Sequence, residues 1–397
     1  MTGGMSTEGQ GHKPLDGLRV LDFTRVLSGP YCTALLADLG ADVLKIEPPQ
    51  GDDYRHIGPF HKDGSSALFE TVNRGKRSVM LNLGQANDRE LALSLADGAD
   101  VLVENFRPGV ADKLGIGFAE VKKRNKKIVY ASISGFGQDG PNARRPAYDI
   151  VVQALSGIMS VTGEPDGAPT LIGESIADVV TGLFGSWAIL AALYDRDRSG
   201  EGRHIDVSMF ESMIALQPLV LARYLSTGQV PMRVGNRHAL SAPFGAFRAS
   251  DKLFVLAVLN PKLFEGLAHL IGRADLLQDA RFATDAKRLE NEAALRAAIE
   301  DWSTRRSAAE AVKALVSAGV PAAEVSDMAH ALGSDQARAR PPTQVVAHAK
   351  LGAMQVPEQP ARFSGAPRGG LAAASALGAN TTEATDNPSA VWKAQRR

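Results

Sequence analysis

The strongest constraint on the fold of this chain is a pair of similar octapeptides. They are GADVLKIE at 40–47 and GADVLVEN at 98–105. Each has a glycine suited to ending a helix, then an apolar run of strand length, then a glutamate. A helix before each strand implies crossover connections, which join parallel strands. The sequence therefore predicts an α/β fold with a doubly wound, Rossmann-like parallel sheet buried on both faces.

The first 225 residues continue this alternation of strands and helices. Three more apolar runs of strand length lie at 18–23, 77–83 and 127–134. Helices are expected from Pro30, over 88–97, over 110–124 and from Asp178 to Tyr194. Ligands of such sheets bind beyond the carboxyl ends of the strands, so Glu47 and residues 104–107 are site candidates by position alone.

The length of 397 residues favours two domains. We expect a large Rossmann-like domain over 1–225, a linker over 226–245 and a smaller α/β domain over 246–325. Residues 326–397 are expected to return to the large domain and to end in a tail that is poorly ordered unless it docks.

Charge and cysteine content predict a cytoplasmic protein without nucleic-acid or membrane partners. Lys plus Arg equals Asp plus Glu at 44 each, so no net field attracts a polyanion. Cys32 is the single cysteine, and the start MTGGMSTEGQGHKPLDG lacks the basic and apolar regions of a secretory leader. The longest apolar tract, after Asp178, contains Gly182 and Gly185 and is expected to be too short for a membrane span.

Several classes of catalytic site are disfavoured by the motifs. GFGQDG at 135–140 has the glycine spacing of a dinucleotide fingerprint, but PNARRP follows it, where the fingerprint requires a helix. We interpret it as a glycine-rich turn. The eight histidines are scattered, and P-loop, zinc-protease and serine-hydrolase motifs do not occur. Neither a metal site nor a tightly bound cofactor is expected.

Two further features leave functional and structural explanations open. Asp178 stands at the head of an apolar helix, where it is either the N-cap or a functional carboxylate. NRGKRS at 73–78 places Arg74 and Lys76 around a glycine before a strand, where they could hold an anion. From the residues alone, the capping explanation of Asp178 is favoured.

Taken together, segments spread over nearly the whole chain resemble the family III CoA-transferases. This superfamily contains formyl-CoA, carnitine-CoA and dicarboxylate CoA-transferases and also α-methylacyl-CoA racemase. The matching segments are PLDGLRVLDFTRVLSGPYCTALLADLGADVLKIEPPQGDDYR (14–55), NRGKRSVMLNL (73–83), ADVLVENFRPG (99–109), ASISGFGQDGP (131–141), YDIVVQALSGIMSVTGEPDGAP (148–169), ADVVTG (177–182), GEGRHIDVSMFES (200–212), GNRHALSAPFGAFRASD (235–251), GVPAAEVSDM (319–328) and PARFSGAP (360–367).

The resemblance implies an interlocked, ring-like homodimer and a catalytic role for Asp178. The carboxylate would attack an acyl-CoA thioester and form an aspartyl anhydride, then an aspartyl-CoA thioester. The nearest likeness is to succinate–hydroxymethylglutarate CoA-transferases, which implies succinyl-CoA or a related dicarboxyl-CoA as donor and a small carboxylic acid as acceptor. Coenzyme A is then a substrate.

The resemblance also assigns binding residues. Those matched to the CoA site are Val26, Leu27, Ser28, Arg74, Lys76, Leu81 with residues 82–84, Asn105, Phe106, Arg107, Lys113, Leu114, Pro146, Ala147, Tyr148 and Asp149. Lys113 is the favoured phosphate contact. Candidates for the acceptor site are Arg25, Arg55, Asn236, Arg237 and His238. The last three lie in a loop that corresponds to a glycine-rich loop of formyl-CoA transferases, which closes over the site there. In this chain the loop contains few glycines.

Two alternatives to the transferase remain at the sequence level. A racemase pairs its aspartate with a histidine where this chain has Tyr148. Tyrosine is a poor proton acceptor at neutral pH, because with an ordinary pKa of about 10 its hydroxyl is already protonated. The other alternative is a CoA-binding protein without turnover, against which Asp178 itself argues. Leu27 replaces the glutamine of formyl and oxalate specialists, which favours other dicarboxylates.

Overall fold

The structure is a computed structural model, and it describes residues 11–392. Its strands are β1 Arg19–Asp22, β2 Asp42–Glu47, β3 Arg77–Met80, β4 Val101–Glu104, β5 Val129–Ser134, β6 His204–Ser208, β7 Phe244–Arg248, β8 Leu253–Ala257, β9 Ala322–Glu324, β10 Thr343–His348 and β11 Gly352–Pro357. Its helices are α1 Ser28–Asp38, α2 Ala67–Asn73, α3 Ala86–Asp97, α4 Val110–Lys113, α5 Phe118–Arg124, α6 Asp149–Leu155, α7 Ile158–Val161, α8 Ile176–Ser199, α9 Met209–Ala215, α10 Pro218–Thr227, α11 Pro261–Leu270, α12 Asp285–Glu290, α13 Glu292–Ser303, α14 Ala308–Ser317, α15 Met328–Gly333, α16 Asp335–Ala339 and α17 Thr381–Asp386.

The chain divides into two compact units. The first contains residues up to 158, residues 171–229 and residues from 340 onward, and the second contains 159–170 and 230–339. The chain therefore re-enters the first unit at Arg340 and not at residue 326, and most of the expected linker belongs to the second unit. The insertion at 159–170 had no counterpart in the sequence-based division.

A six-stranded parallel sheet in the order β3-β2-β1-β4-β5-β6 forms the centre of the first unit. Successive residues of β1 point to opposite faces, so Val20 packs in one core with Val43 and Leu21 packs in another with Leu44. Both faces are therefore apolar, and the predicted parallel α/β sheet is confirmed. The strand order reverses between β1 and β4, and open sheets bind ligands at such a switch point.

Helix α8 is longer than the sequence analysis expected. Its 24 residues are long and apolar enough to cross a membrane by length and composition, so the expectation that the tract is too short was wrong. One face of α8 packs against α1 and β5, as a core helix does. An ideal Cβ on Gly182 would lie 2.7 Å from the Ser28 carbonyl oxygen, and one on Gly185 would lie 3.2 Å from Cys32 Sγ. These glycines let the two helices approach closely.

The C-terminal segment docks on the first unit. Strands β10 and β11 form an antiparallel hairpin, and α17 follows it. Arg77 donates a 2.6 Å hydrogen bond to the Val391 carbonyl, and Trp392 is buried in the core. The tail is thus ordered through Trp392 because it fills an apolar site beside α3. Residues 393–397 and 1–10 lie outside the described residues, and the latter make up most of the segment MTGGMSTEGQGHKPLDG.

The second unit has an antiparallel sheet, β7-β8-β9, which packs against helices α13 and α14, with α11 beside α14. Its core is separate and rich in large apolar side chains, among them Phe247, Phe254, Leu295, Trp302 and Leu315. The expected smaller domain thus has helices and strands, but its strands are paired in antiparallel fashion.

Candidate active site

Asp178 lies in the first turn of α8, two residues inside the helix. The helix begins at Ile176 and its N-cap is Ser175, so the prediction that Asp178 is the N-cap was wrong. A neighbouring carboxylate caps the helix instead, because Asp149 Oδ1 accepts a 2.7 Å hydrogen bond from the Ala177 N–H. Asp178 therefore keeps its side chain free for another role while it stays near the positive end of the helix.

The surroundings of Asp178 raise the pKa of its carboxyl from 3.8 to about 7. Burial is the largest cause, because a charge loses hydration there, and the negative charge of Asp149 adds to it. Hydrogen bonds from the Ser28 hydroxyl and backbone N–H act in the opposite direction. Ser28 is the first residue of α1, so two helix N-termini meet at this carboxyl group. Near neutral pH it is present in both protonation states.

Asp178 opens into a cavity of about 170 Å³, here called the Asp178 cavity. Residues that follow β1, β4 and β5 line it, together with the start of α9. Its lining consists of Arg25, Val26, Ser28, Asp53, Asn105, Phe106, Arg107, Pro108, Ile133, Ser134, Gly135, Ala143, Arg145, Pro146, Ala147, Tyr148, Asp178 and Met209. Three of these are exposed arginines, Arg25, Arg107 and Arg145. The cavity thus places the Asp178 carboxyl, with a second carboxylate at Asp53, among cationic walls.

A second cavity of about 330 Å³, here called the strand-end cavity, lies beyond β1, β2 and β3. Its lining is mainly apolar and consists of Phe23, Thr24, Arg25, Ile46, Glu47, Pro48, Pro49, Gln50, Asp52, Leu81, Asn82, Leu83, Gly84, Phe106 and Leu114. Arg25 and Phe106 line both cavities, and the Arg25 guanidinium lies 6.0 Å from the centre of the Phe106 ring. The two cavities therefore adjoin at this pair.

Most residues matched to the CoA site line one of these cavities. Leu81, residues 82–84 and Leu114 line the strand-end cavity, and Phe106 lines both. The matched residues in the Asp178 cavity are Val26, Ser28, Asn105, Arg107, Pro146, Ala147 and Tyr148. Leu27 is buried as the N-cap of α1, Lys113 is exposed beside Leu114, and the Asp149 carboxylate is occupied at Ala177 and Gln153.

Arg74 and Lys76 do not reach either cavity lining. The Arg74 guanidinium donates to both Asp38 oxygens, at 2.9 and 2.6 Å, and is only 2% exposed. The Lys76 ammonium lies 3.0 Å from Asp22 Oδ2 and is equally buried. Both cations are held in internal ion pairs, so this arrangement gives no support to their predicted contact with phosphate, and we remove them from the proposed site.

The acceptor candidates fall into three groups. Arg25 lines the Asp178 cavity, where its guanidinium lies 3.9 Å from the Asp53 carboxylate. Arg55 donates two 2.7 Å hydrogen bonds to Glu47 and stacks on Phe69, so its charge is already neutralised. Asn236, Arg237 and His238 belong to the second unit, in which Arg237 pairs with Glu292 at 3.2 Å and the His238 ring stacks on Phe244.

Sequence reasoning missed several residues that the structure brings to Asp178. Arg145, Asp53, Ser134, Gly135 and Met209 all line its cavity. Ser134 and Gly135 end β5 and begin GFGQDG, so the strand-end rule could have identified them. Gly135 is needed for close packing, because an ideal Cβ there would lie 2.4 Å from the Ala147 Cβ. Arg145 had no local signal beyond its position after that glycine-rich turn.

Comparison with known proteins identifies the family of this chain. The family described as CoA-transferase family III matches residues 15–381. The acetyl-CoA:oxalate CoA-transferase of Acetobacter aceti is 46% identical over 89% of this chain and 90% of its own length. The succinyl-CoA:mesaconate CoA-transferase of Haloarcula marismortui is 42% identical over 79% of this chain and 81% of its own.

The fold also has a solved counterpart. The crystal structure of a CaiB/BaiF family protein from Brucella suis superimposes with a TM-score of 0.84 at 38% identity, covering 94% of this chain and 98% of that one. Sequence and structure thus agree over nearly the full length. This protein is an enzyme that belongs to CoA-transferase family III.

Proposed function

We propose that this enzyme transfers CoA from succinyl-CoA or a related dicarboxyl-CoA to a small carboxylic acid, with Asp178 as the nucleophile. The observation that carries the proposal is the position of Asp178. Its carboxyl group lies where the N-termini of α1 and α8 meet, inside a cavity that adjoins a larger apolar one. Helix N-termini favour negative charge, both on the carboxylate and on an oxyanion formed beside it.

The proposed reaction proceeds through two covalent intermediates. An Asp178 oxygen attacks the thioester carbonyl, the C–S bond breaks, and CoA leaves as a thiolate from a mixed anhydride. The thiolate attacks the aspartyl carbonyl and expels the donor acid as a carboxylate, which leaves an aspartyl-CoA thioester. The acceptor carboxylate then repeats both steps in reverse order and carries CoA away. No external acid or base is consumed.

The two cavities suggest how CoA would lie. The strand-end cavity has the volume and the apolar walls, including Leu81, Leu83 and Leu114, that suit an adenine ring. Arg25 and Phe106 would flank the chain that runs from there to Asp178. Lys113 is exposed beside Leu114 and remains the proposed phosphate contact.

The acceptor is proposed to be a dicarboxylic acid. The two relatives described above are named for oxalate and mesaconate, and both acids carry two carboxylates. One carboxylate would react at Asp178, and the second needs a cation, for which Arg145 joins Arg25 and Arg107 in the same cavity. Leu27 by itself disfavours oxalate, but one of these relatives is named for oxalate. Oxalate therefore stays among the proposed acceptors.

Trapping the intermediates tests the proposal. The enzyme is mixed with succinyl-CoA, quenched with hydroxylamine or borohydride, and digested for peptide mass spectrometry. We expect a modified peptide containing Asp178, lost in Asp178→Ala and kept in Asp139→Ala, which alters an exposed carboxylate of the same unit. If no adduct forms and 2-methylacyl-CoA exchanges its α-proton with deuterium, the enzyme is a racemase. Binding of CoA with neither result would indicate a protein without turnover.

The proposal extends to a cytoplasmic, interlocked homodimer, as the family resemblance implies. Helices α8 and α10 expose large apolar side chains, with Trp187 at 68%, Tyr194 at 67% and Leu225 at 72%. Apolar faces of this kind mark protein interfaces. Light scattering should give the mass of two chains, and Trp187→Glu should shift the protein toward monomer. The buried thiol of Cys32 suits a reducing compartment, which cell fractionation would test.

A further inference from the structure

The backbone of Val26 has an unusual conformation beside Asp178. Among the described residues, Val26 is the only non-glycine residue with a positive φ, +69°. The left-handed region is costly for a β-branched side chain, so such a residue keeps it only where its surroundings hold it there. Val26 connects β1 to α1 and lines the Asp178 cavity. Its strain therefore lies directly at the proposed reaction centre.

Two side chains hold the backbone that leads into the Val26 N–Cα bond, about which φ is measured. The Val26 N–H donates a 3.0 Å hydrogen bond to Asp52 Oδ1. The preceding residue is fixed by Asn105, whose amide accepts from the Arg25 N–H at 2.9 Å and donates to the Arg25 carbonyl at 2.8 Å. Both anchors come from loops that follow other strands, β2 and β4, so the conformation depends on the assembled sheet.

Asp52 is itself held by a buried lysine. Lys45 Nζ lies 2.9 Å from Asp52 Oδ2 and donates a 2.6 Å hydrogen bond to the Thr24 carbonyl, while both charged side chains are at most 2% exposed. The other Asp52 oxygen accepts from the Tyr54 N–H as well as from Val26. Both oxygens of Asp52 thus face donors only, which an ionised carboxylate satisfies and an amide does not.

The same segment leads directly to Ser28, the hydrogen-bond partner of Asp178. Only Leu27 separates Val26 from Ser28, and Ser28 begins α1. The Ser28 carbonyl already lies against Gly182 of α8, so the backbone has little room to move on that side. The peptide orientation at Val26 therefore sets the direction in which the Ser28 N–H and hydroxyl point.

We infer that the buried Lys45–Asp52 pair is a positioning element of the active site, which keeps Val26 in its left-handed conformation and thereby aims Ser28 at Asp178. The inference rests on the proposed function only in giving Asp178 the role of nucleophile. Lys45 and Asp52 act through the backbone and need not touch substrate. Asp52 also lines the strand-end cavity, so acyl-CoA binding must be measured separately from turnover.

A double-mutant cycle between Asp52→Asn and Val26→Gly tests the inference. Glycine adopts a positive φ without strain, so it needs no anchor. We expect Asp52→Asn to lower kcat about tenfold or more in the wild-type background and about threefold or less in the Val26→Gly background. An equal loss in both backgrounds would overturn the inference. If Asp52→Asn does not fold, Lys45→Met replaces it, with the same expected pattern.

The pH dependence of kcat/KM separates positioning from a general loss of stability. Ser28 lowers the pKa of Asp178, so a misdirected Ser28 should move the acid limb of the profile upward, while Asp149 and the arginines of the cavity are unchanged. Tyr54, whose N–H donates to Asp52, stays neutral near pH 7 because its pKa is raised to about 12. Asp38→Asn is the matched control, because it breaks a buried ion pair that does not contact this segment. It should lower the unfolding midpoint and leave the acid limb in place.

An upward movement in Asp38→Asn equal to that in Asp52→Asn would contradict the inference. Failure of the proposed function is a separate outcome, because the wild-type enzyme would then form no Asp178 adduct with succinyl-CoA. Acyl-CoA affinity is measured by calorimetry for each variant. A loss confined to affinity, with kcat unchanged, would place Asp52 in the CoA site and refute its positioning role.

Discussion

The raised pKa of Asp178 makes a quantitative prediction about stability. The folded protein holds this carboxyl at a pKa of about 7, against 3.8 for an unperturbed aspartate. Between these values the native state binds more protons than the unfolded state, so ionising Asp178 costs stability as the pH rises. A difference of about 3 pH units, at 1.36 kcal/mol each, gives a cost of up to about 4 kcal/mol above pH 7.

Asp178→Asn should therefore stabilise the protein, and more so at high pH. The asparagine amide oxygen can still accept a hydrogen bond from Ser28, and because the amide is uncharged, burying it avoids the cost of removing a charge from water. We expect the variant to exceed wild type by up to about 4 kcal/mol in free energy of unfolding at pH 8 and by about 2 kcal/mol at pH 5. The enzyme would then be an example in which the proposed catalytic group lowers stability.

Urea unfolding followed by circular dichroism at pH 5, 6, 7 and 8 measures this difference. Asp139→Asn, at an exposed position, controls for the change in net charge and should track wild type throughout. If Asp178→Asn is no more stable than wild type at pH 8, or if its advantage does not grow with pH, then the carboxyl group is not desolvated as the geometry indicates.

Three other substitutions have expected outcomes. The kcat/KM of the wild type should decrease as the pH falls below about 7, where Asp178 becomes protonated. Asp149→Asn should shift this decrease to lower pH, because it removes a negative charge from beside Asp178. Arg145→Gln should raise KM for dicarboxylic acceptors about tenfold or more and leave acetate unaffected, because it removes a charged hydrogen-bond donor. Gly182→Ala should cost about 1–3 kcal/mol in stability and lower kcat, because its Cβ meets the Ser28 carbonyl.

Neighbouring positions supply the controls. Arg144→Gln removes an adjacent exposed charge that does not line the Asp178 cavity, so an equal effect on KM would exclude a specific role for Arg145. Gly173→Ala adds a methyl group with no atom within 4 Å, so an equal loss of stability would exclude a steric role for Gly182. An acid limb that is unmoved in Asp149→Asn would show that its charge does not act on Asp178.

The sequence by itself determined the parallel sheet and indicated the position of the proposed nucleophile, Asp178. Strand positions were predictable because residues buried on both faces form continuous apolar runs, as in Val101–Glu104 and Val129–Ser134. The strand-end rule indicated 104–107, of which Asn105, Phe106 and Arg107 line the Asp178 cavity. Asp178 itself was identified by resemblance, since local rules gave only a helix cap.

Only the tertiary structure decided which charged side chains are exposed and which are held in internal ion pairs. Lys76 pairs with Asp22 and Arg74 with Asp38, partners 54 and 36 residues away, so no local pattern separates these buried cations from the exposed Arg145. Asp149 caps α8 from another helix, which leaves Asp178 free of that role. Burial, and after it the charge of Asp149, raises the pKa of Asp178. The left-handed backbone conformation of Val26 likewise depends on Asp52 and Asn105, which only the folded sheet brings close to it. Local sequence periodicity determines where the strands and helices form, whereas contacts between residues far apart in the chain determine which charged groups are available at the site.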